Sequence, residues 1–209
     1  MEILIYGAGV VGSFFAATLQ HGGHTVSILA RGKRYSDINK QGIVLYDPLE
    51  EKEVTARVQV VETLDPEDFY DMVIVAMKKN QVPHVLPILA QNTRIPSILF
   101  MVNNAEGPEP FISALGKERV VLSFSATGGE LTEHGVQCLL SDTYEIPLGS
   151  VNEHSHLDEI ICAFNQADIS VNIYGDMDSW LKYHVALVSP LANAVILAGG
   201  TPNSQKIPP

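Results

Sequence analysis

Only two cysteines occur in the 209 residues, Cys138 and Cys162, far apart and without flanking ligands, which excludes a disulfide framework and a cysteine metal centre. Both are read as buried thiols, and no metal is expected. Basic residues are scarce too: 13 Lys and Arg stand against 24 Asp and Glu, a net charge of −11 that repels nucleic-acid backbones and anionic lipid. Nucleic acid and membrane are therefore not expected partners, and an anionic ligand needs a local basic cluster. Long apolar runs are also missing. The 46% hydrophobic content is split into short runs, none near the roughly 20 residues of a membrane helix. Met1-Glu2 leads straight into a strand pattern with no basic n-region or cleavage site, so a cytoplasmic location is the expectation.

What is present is an alternation of apolar strands and helical segments. Strands are predicted at residues 3–6, 25–29, 72–77 and 97–101, with a helix over 10–21, a pattern that implies parallel pairing through right-handed crossovers. Residues 43–46, Asp47-Pro48 and a strand over 54–61 read as a hairpin insert. Beyond Val120, short strands at 120–125, 136–140 and 144–148 are divided by Gly128-Gly129, Gly135 and Ser141-Asp142, and suggest antiparallel strands on the far side of the sheet. A helix near 157–166, a strand at 169–173 and a last helix over 177–197 follow, ending at Gly199-Gly200. The Pro-rich tail 201–209 reads as disordered or truncated. The fold class expected is α/β: a Rossmann-type doubly wound sheet over residues 1–174, with 175–200 the first helix of a truncated all-α second domain.

Gly7-Ala8-Gly9-Val10-Val11-Gly12 matches GxGxxG directly between the first strand and the apolar helix carrying Phe14, Phe15 and Leu19. Gly7 permits the tight turn, Gly9 lets a pyrophosphate approach the backbone, and Gly12 lets the helix pack closely on the strand. The helix N-terminus offers free N–H groups and a positive dipole end to phosphates. The second strand should end where an Asp or Glu would hold the ribose 2′-hydroxyl of NAD, but the chain reads Ala30-Arg31-Gly32-Lys33-Arg34. Arg31, with Lys33 or Arg34 assisting, can instead take a 2′-phosphate, which points to NADP(H). The plain alternative is a solvated basic loop.

With these residues the sequence resembles the ketopantoate reductase family, whose members reduce 2-dehydropantoate to pantoate with NADPH. The resemblance covers nearly the whole chain to about Gly200. It rests on the glycine fingerprint and Arg31, Val75-Ala76-Met77-Lys78 with Gln81, the Asn103-Asn104 turn, and Trp180-Leu181-Lys182 leading to Ser189-Pro190-Leu191. It implies a Rossmann domain followed by a helical domain, with the active site in the cleft between them. Lys78 and Gln81 are implied near the cofactor and Asn103 at both cofactor and substrate. Asn104, where the family has Gly, can adopt a left-handed turn.

In the last helix Met177, Leu181, His184, Val185, Val188, Leu191 and Val195 follow helical spacing and are expected to face a core, with Pro190 producing a kink. Lys182, Ala186, Ser189 and Asn193 form a second, polar or small face. Lys182 matches the family's catalytic lysine, placed to polarise a ketone and donate a proton. Ser189 and Asn193 are candidate substrate contacts. Ala186 stands where the family commonly has Asn, and its Asn-Pro pair lies one position later than Ser189-Pro190, so a different 2-keto acid is within the reading. The family's acidic partner and serine would lie beyond residue 209. His154-x-His156 is read as a surface turn, His184 as a buried imidazole and the acidic residues 65–71 as a helix start. Expected, then, is an NADPH-dependent reductase of a small 2-keto acid, with a homodimer left open. The alternatives are a related dehydrogenase acting on another keto or imino substrate, and a non-catalytic NADP(H)-sensing module.

Overall fold

The computed structural model describes residues 1–140, 144–151 and 154–199. Its centre is an eight-stranded sheet of β1 (Glu2–Tyr6), β2 (Thr25–Leu29), β5 (Gln59–Val61), β6 (Met72–Val75), β7 (Ser97–Met101), β8 (Val120–Ser123), β11 (Tyr144–Ser150) and β12 (Ile169–Ile173), in the order β12-β11-β8-β7-β6-β1-β2-β5. All neighbours pair in parallel except β8 with β11. The chain builds outward from β1 in both directions, through β2 on one side and β6 on the other, so the strand order reverses at the β1/β6 junction. The fold is the doubly wound α/β architecture the sequence predicts.

Both faces of this sheet are covered, which is why its strands are apolar throughout. Side chains alternate along β1: Ile3 and Ile5 join one core with Phe14, Phe15 and Leu19 of α1 (Val10–His21) and Phe164 of α5 (Leu157–Gln166). Leu4 and Tyr6 join the other, with Leu86 and Leu89 of α3 (Val82–Gln91), Phe111 of α4 (Glu109–Leu115), and Met177 and Leu181 of α6 (Met177–Leu197). The remaining helix, α2 (Gly32–Gln41), buries Ile38 and leaves its charged side to solvent. Helix α1 is buried almost all round because it is roofed by a second sheet of β3 (Ile43–Asp47), β4 (Lys52–Ala56), β9 (Gly129–Thr132) and β10 (Gly135–Cys138), in the order β4-β3-β10-β9.

That second sheet corrects the expected layout. Residues 54–61 are two strands: β4 closes the hairpin with β3, while β5 crosses to the edge of the main sheet beside β2. Residues 136–140 do not extend the main sheet, because β10 pairs in parallel with β3 and antiparallel with β9. Asp47 ties the corner together. It is 2% exposed, its Oδ1 accepts the Leu49 and Glu50 N–H groups, and its Oδ2 accepts the Leu140 N–H at 2.6 Å. Beside it the buried Cys138 thiol is pushed up to about 11, by desolvation first and then by the Asp47 charge.

Other expectations change as well. Cys162 is exposed, on the outer side of α5. Residues 65–71 form no helix: Asp68 accepts the Asp65 N–H, and the Asn92 amide holds the carbonyls of Asp65 and Asp68. His154 is buried rather than on a surface turn, its Nδ1 accepting the His156 N–H. In α6 only Met177 and Leu181 are buried, whereas Leu187, Leu191, Ile196 and Leu197 are exposed. By length and mean hydropathy alone this 21-residue helix also meets the measure of a membrane span. It carries Asp178, Lys182, His184, Ser189 and Asn193 along its length, and it runs continuously through Pro190. The tail 201–209, Gly200 and the Ser141-Asp142 turn lie outside the described residues.

Candidate cofactor site and cleft

The fingerprint turn is built as its three glycines require. Gly7 sits at φ +122°, where a side chain is strained, and a Cβ there would lie 2.5 Å from the Ala76 carbonyl oxygen. A Cβ on Gly12 would lie 1.8 Å from the Gly7 oxygen and 3.2 Å from Ile5, so only Gly lets α1 meet β1 this closely. At Gly9 the situation is reversed, because nothing lies within 4 Å of the position a Cβ would take. Gly9 is the N-cap of α1 and has no side chain to satisfy the first N–H groups of that helix, which remain available to an anion.

These N–H groups open into a groove of about 1190 Å³ along the carboxyl ends of β1, β2, β6 and β7, at the point where strand order reverses. Its floor is Gly7 to Val11; Leu29, Ala30 and Arg31 form the β2 end, Met77, Lys78 and Gln81 the middle, and Met101, Val102, Asn103, Phe124 and Ser125 the far end. Of the residues expected at a cofactor, Gly7, Ala8, Gly9, Val10, Val11, Arg31, Lys78, Gln81 and Asn103 therefore share one groove. Gly12 sits beneath it, in the packing role. Gln81 is oriented by its own turn, its Oε1 accepting the Lys78 N–H at 3.3 Å.

The three cations after β2 part company. Arg31 is exposed beside Tyr6, whose phenol is raised by burial and pulled back by the neighbouring Arg31 charge and hydrogen bond. Lys33 is outside the groove, its ammonium paired with Asp37 at 2.9 Å on the outer side of α2. Arg34 lines the groove as well, and it also serves the fold: its Nε donates to the Ala8 carbonyl at 3.1 Å and its Nη2 to Ser13 Oγ at 2.7 Å, bracing the glycine turn. Burial lowers its pKa, partly offset by Asp37. A brace of this kind has no sequence signal beyond proximity to the fingerprint.

At the far end, Asn104 is buried and not left-handed: its Nδ2 donates to the Gly107 carbonyl at 2.7 Å, and Gly107 takes the positive φ of +93°. The turn is pinned from the other side by Lys79, which pairs with Glu106 at 2.7 Å, lowering that carboxyl, and sits 5.7 Å from the Phe111 ring centroid. Lys182 approaches this turn from α6. Its Nζ bonds Asp178 Oδ2 at 2.5 Å, and both side chains come within 4 Å of where a Gly107 Cβ would be. It does not line the groove, nor do Ser189 and Asn193, both exposed further along α6. On the opposite flank of the helix His184 is half-buried rather than buried, stacked on Trp180 (centroids 5.1 Å apart, 6° between planes) and 4.1 Å from Phe124.

Sequence reasoning did not single out Phe124, Ser125 or Leu131 as groove residues. Leu131 reaches the groove from β9, so the second sheet overhangs the cofactor side. Finding it from sequence would have required the pairing of β10 with β3.

Residues 3–153 match the family model described as Ketopantoate reductase PanE/ApbA. The chain is 24% identical over 196 residues to the 2-dehydropantoate 2-reductase of Pyrococcus abyssi, covering 93% of this chain and 63% of that one. It is similar in fold to the 2-dehydropantoate 2-reductase of Methylococcus capsulatus, with a TM-score of 0.78 at 19% identity over 96% of this chain and 65% of that one. A ternary structure of D-mandelate dehydrogenase with NADH and anilino(oxo)acetate aligns with a TM-score of 0.68 at 20% identity, covering 84% and 57%. The chain thus spans somewhat under two thirds of the length of each of these three relatives.

Proposed function

The chain belongs to the ketopantoate reductase PanE/ApbA family, and on that premise we propose that it binds NADPH in the groove and serves the reduction of a small 2-keto acid. The observation that supports this most directly is the groove itself, where the open N-terminus of α1 at Gly9 and Arg31 at the end of β2 lie together with no acid at that strand end. A dinucleotide fits: the pyrophosphate has free N–H groups and no Cβ in its way, and the 2′-phosphate has a guanidinium. Lys78, Gln81 and Asn103 would hold the nicotinamide half. When bound, NADPH supplies the hydride.

The other half of the chemistry falls to Lys182. Reduction of a ketone places negative charge on its oxygen, and an ammonium aimed there stabilises the transition state more than the ground state and can release a proton to that oxygen. Asn103, Ser189 and Asn193 are the substrate contacts in this reading. Residues 1–174 form the cofactor domain and 175–200 the first helix of the substrate domain. The exposed apolar residues of α6 are then the surface on which that domain packs. Location in the cytoplasm and assembly as a homodimer belong to the same reading.

Ala186 favours a substrate other than ketopantoate, because a methyl group cannot hydrogen-bond where the family offers an amide. A steady-state assay of the full-length protein with NADPH and a panel of 2-keto acids tests the proposal. Turnover of at least one is expected; NADPH binding without turnover of any would leave a sensing module as the better description.

A further inference from the structure

The turn at residues 103–107 and the first turns of α6 bring together more polar groups than they satisfy. Asn104 is 1% exposed, and its Oδ1 is buried without a partner while its Nδ2 holds the Gly107 carbonyl. Asp178 Oδ1 is likewise buried and unpartnered, while its other oxygen takes the Lys182 ammonium at 2.5 Å. A buried acceptor left unmet costs free energy, so two of them where one turn meets one helix, one on the carboxylate that holds the Lys182 ammonium, need a reason. The sequence adds a second observation: four residues after Lys182 stands Ala186, which offers the ammonium nothing, and four residues before it stands Asp178.

We propose that Asp178 is a positioning residue for Lys182: it anchors the ammonium against the 103–107 turn, taking the place of a polar partner one helical turn further on. Its carboxylate spans Lys182 with one oxygen and faces Gly107 with the other, so the lysine is fixed relative to the turn that carries Asn103. An acid four residues before a lysine is also the favourable orientation for such a pair on a helix. The anchoring restricts a long, flexible side chain before substrate arrives, which is what a donor aimed at a developing oxyanion requires. This inference rests on the reading of Lys182 as the proton donor.

The competing role is purely structural, since an acid in the first turn of α6 also suits the helix dipole. Steady-state kinetics of the full-length protein with its best 2-keto acid separate the two. Asp178→Asn is expected to lower kcat by about 10-fold to 100-fold, the scale of a misplaced catalytic group, with NADPH affinity and Tm close to wild type. Asp178→Glu should recover part of the loss. In the Lys182→Ala background Asp178→Asn should cost nothing further, because the group it positions is gone. Full kcat in Asp178→Asn, or losses that multiply in the double variant, would overturn the proposal while leaving Lys182 as donor. A fully active Lys182→Ala enzyme would overturn both. Should Asp178→Asn fold poorly, the Asp178→Glu variant alone and combined with Lys182→Ala gives the same comparison.

Discussion

The three glycines of the fingerprint make different demands on space, and their surroundings set how unequal those demands are. Gly12→Ala forces a Cβ to 1.8 Å from the Gly7 oxygen, so the strand and helix must separate. A loss of about 3 kcal/mol is expected, the upper part of the overpacking range, read as a lowered denaturant midpoint. A Cβ at Gly9 meets nothing within 4 Å, so Gly9→Val should leave the midpoint almost unchanged while abolishing cofactor binding, since the side chain enters the space of the pyrophosphate. Equal midpoints for the two variants would contradict the geometry. The cations show the limit of reading residues by type. Arg31, Lys33 and Arg34 look alike in a linear sequence, yet Arg31 and Arg34 line the groove, Arg34 bracing Ala8 and Ser13 as well, while Lys33 pairs with Asp37 outside it. Helical phase separates them, and a loop reading carries none.

Among elements, the strands and helices of the main sheet were legible because each is long, apolar and separated by turn residues. The second sheet was not. It is assembled from segments more than 80 residues apart, β3 and β10, and no local pattern announces that pairing. Asp47 holds its corner, and its carboxyl is kept below the ordinary range by the Leu140 N–H first, and then by Leu49 and Glu50 against the opposing effect of burial. A depressed carboxyl contributes stability above its unfolded-state value, about 3.9, and loses it as pH falls through the lower folded-state value. Thermal stability should therefore fall as pH is taken below about 4, and Asp47→Asn should be less stable near neutrality with a flatter decline in acid. Parallel Tm curves for the two proteins would rule out that role. Helix α6 teaches the converse lesson: its 3.6-residue period correctly announced a helix, but its apolar stripe is a core face only at Met177 and Leu181. Periodicity reports that a face is to be covered, not what covers it.

For the molecule as a whole, a doubly wound sheet leaves a crevice where its strand order turns, and this chain lines that crevice with a bare helix N-terminus, a guanidinium and a set of strand-end polar residues. That placement follows from topology, which the alternation of strands and helices makes readable in advance. The far end of the cleft depends on how α6 meets the 103–107 turn, a contact between distant segments that sequence spacing alone does not give. If the crevice takes NADPH through Arg31, a cofactor titration of the 209-residue chain followed by nicotinamide fluorescence should show it. NADPH should bind more tightly than NADH by about 10-fold or more, the value of one charge-assisted hydrogen bond, and Arg31→Asp should abolish that preference while changing NADH affinity little. Equal affinities for the two cofactors in the wild type, or an equal loss of both in Arg31→Asp, would contradict it.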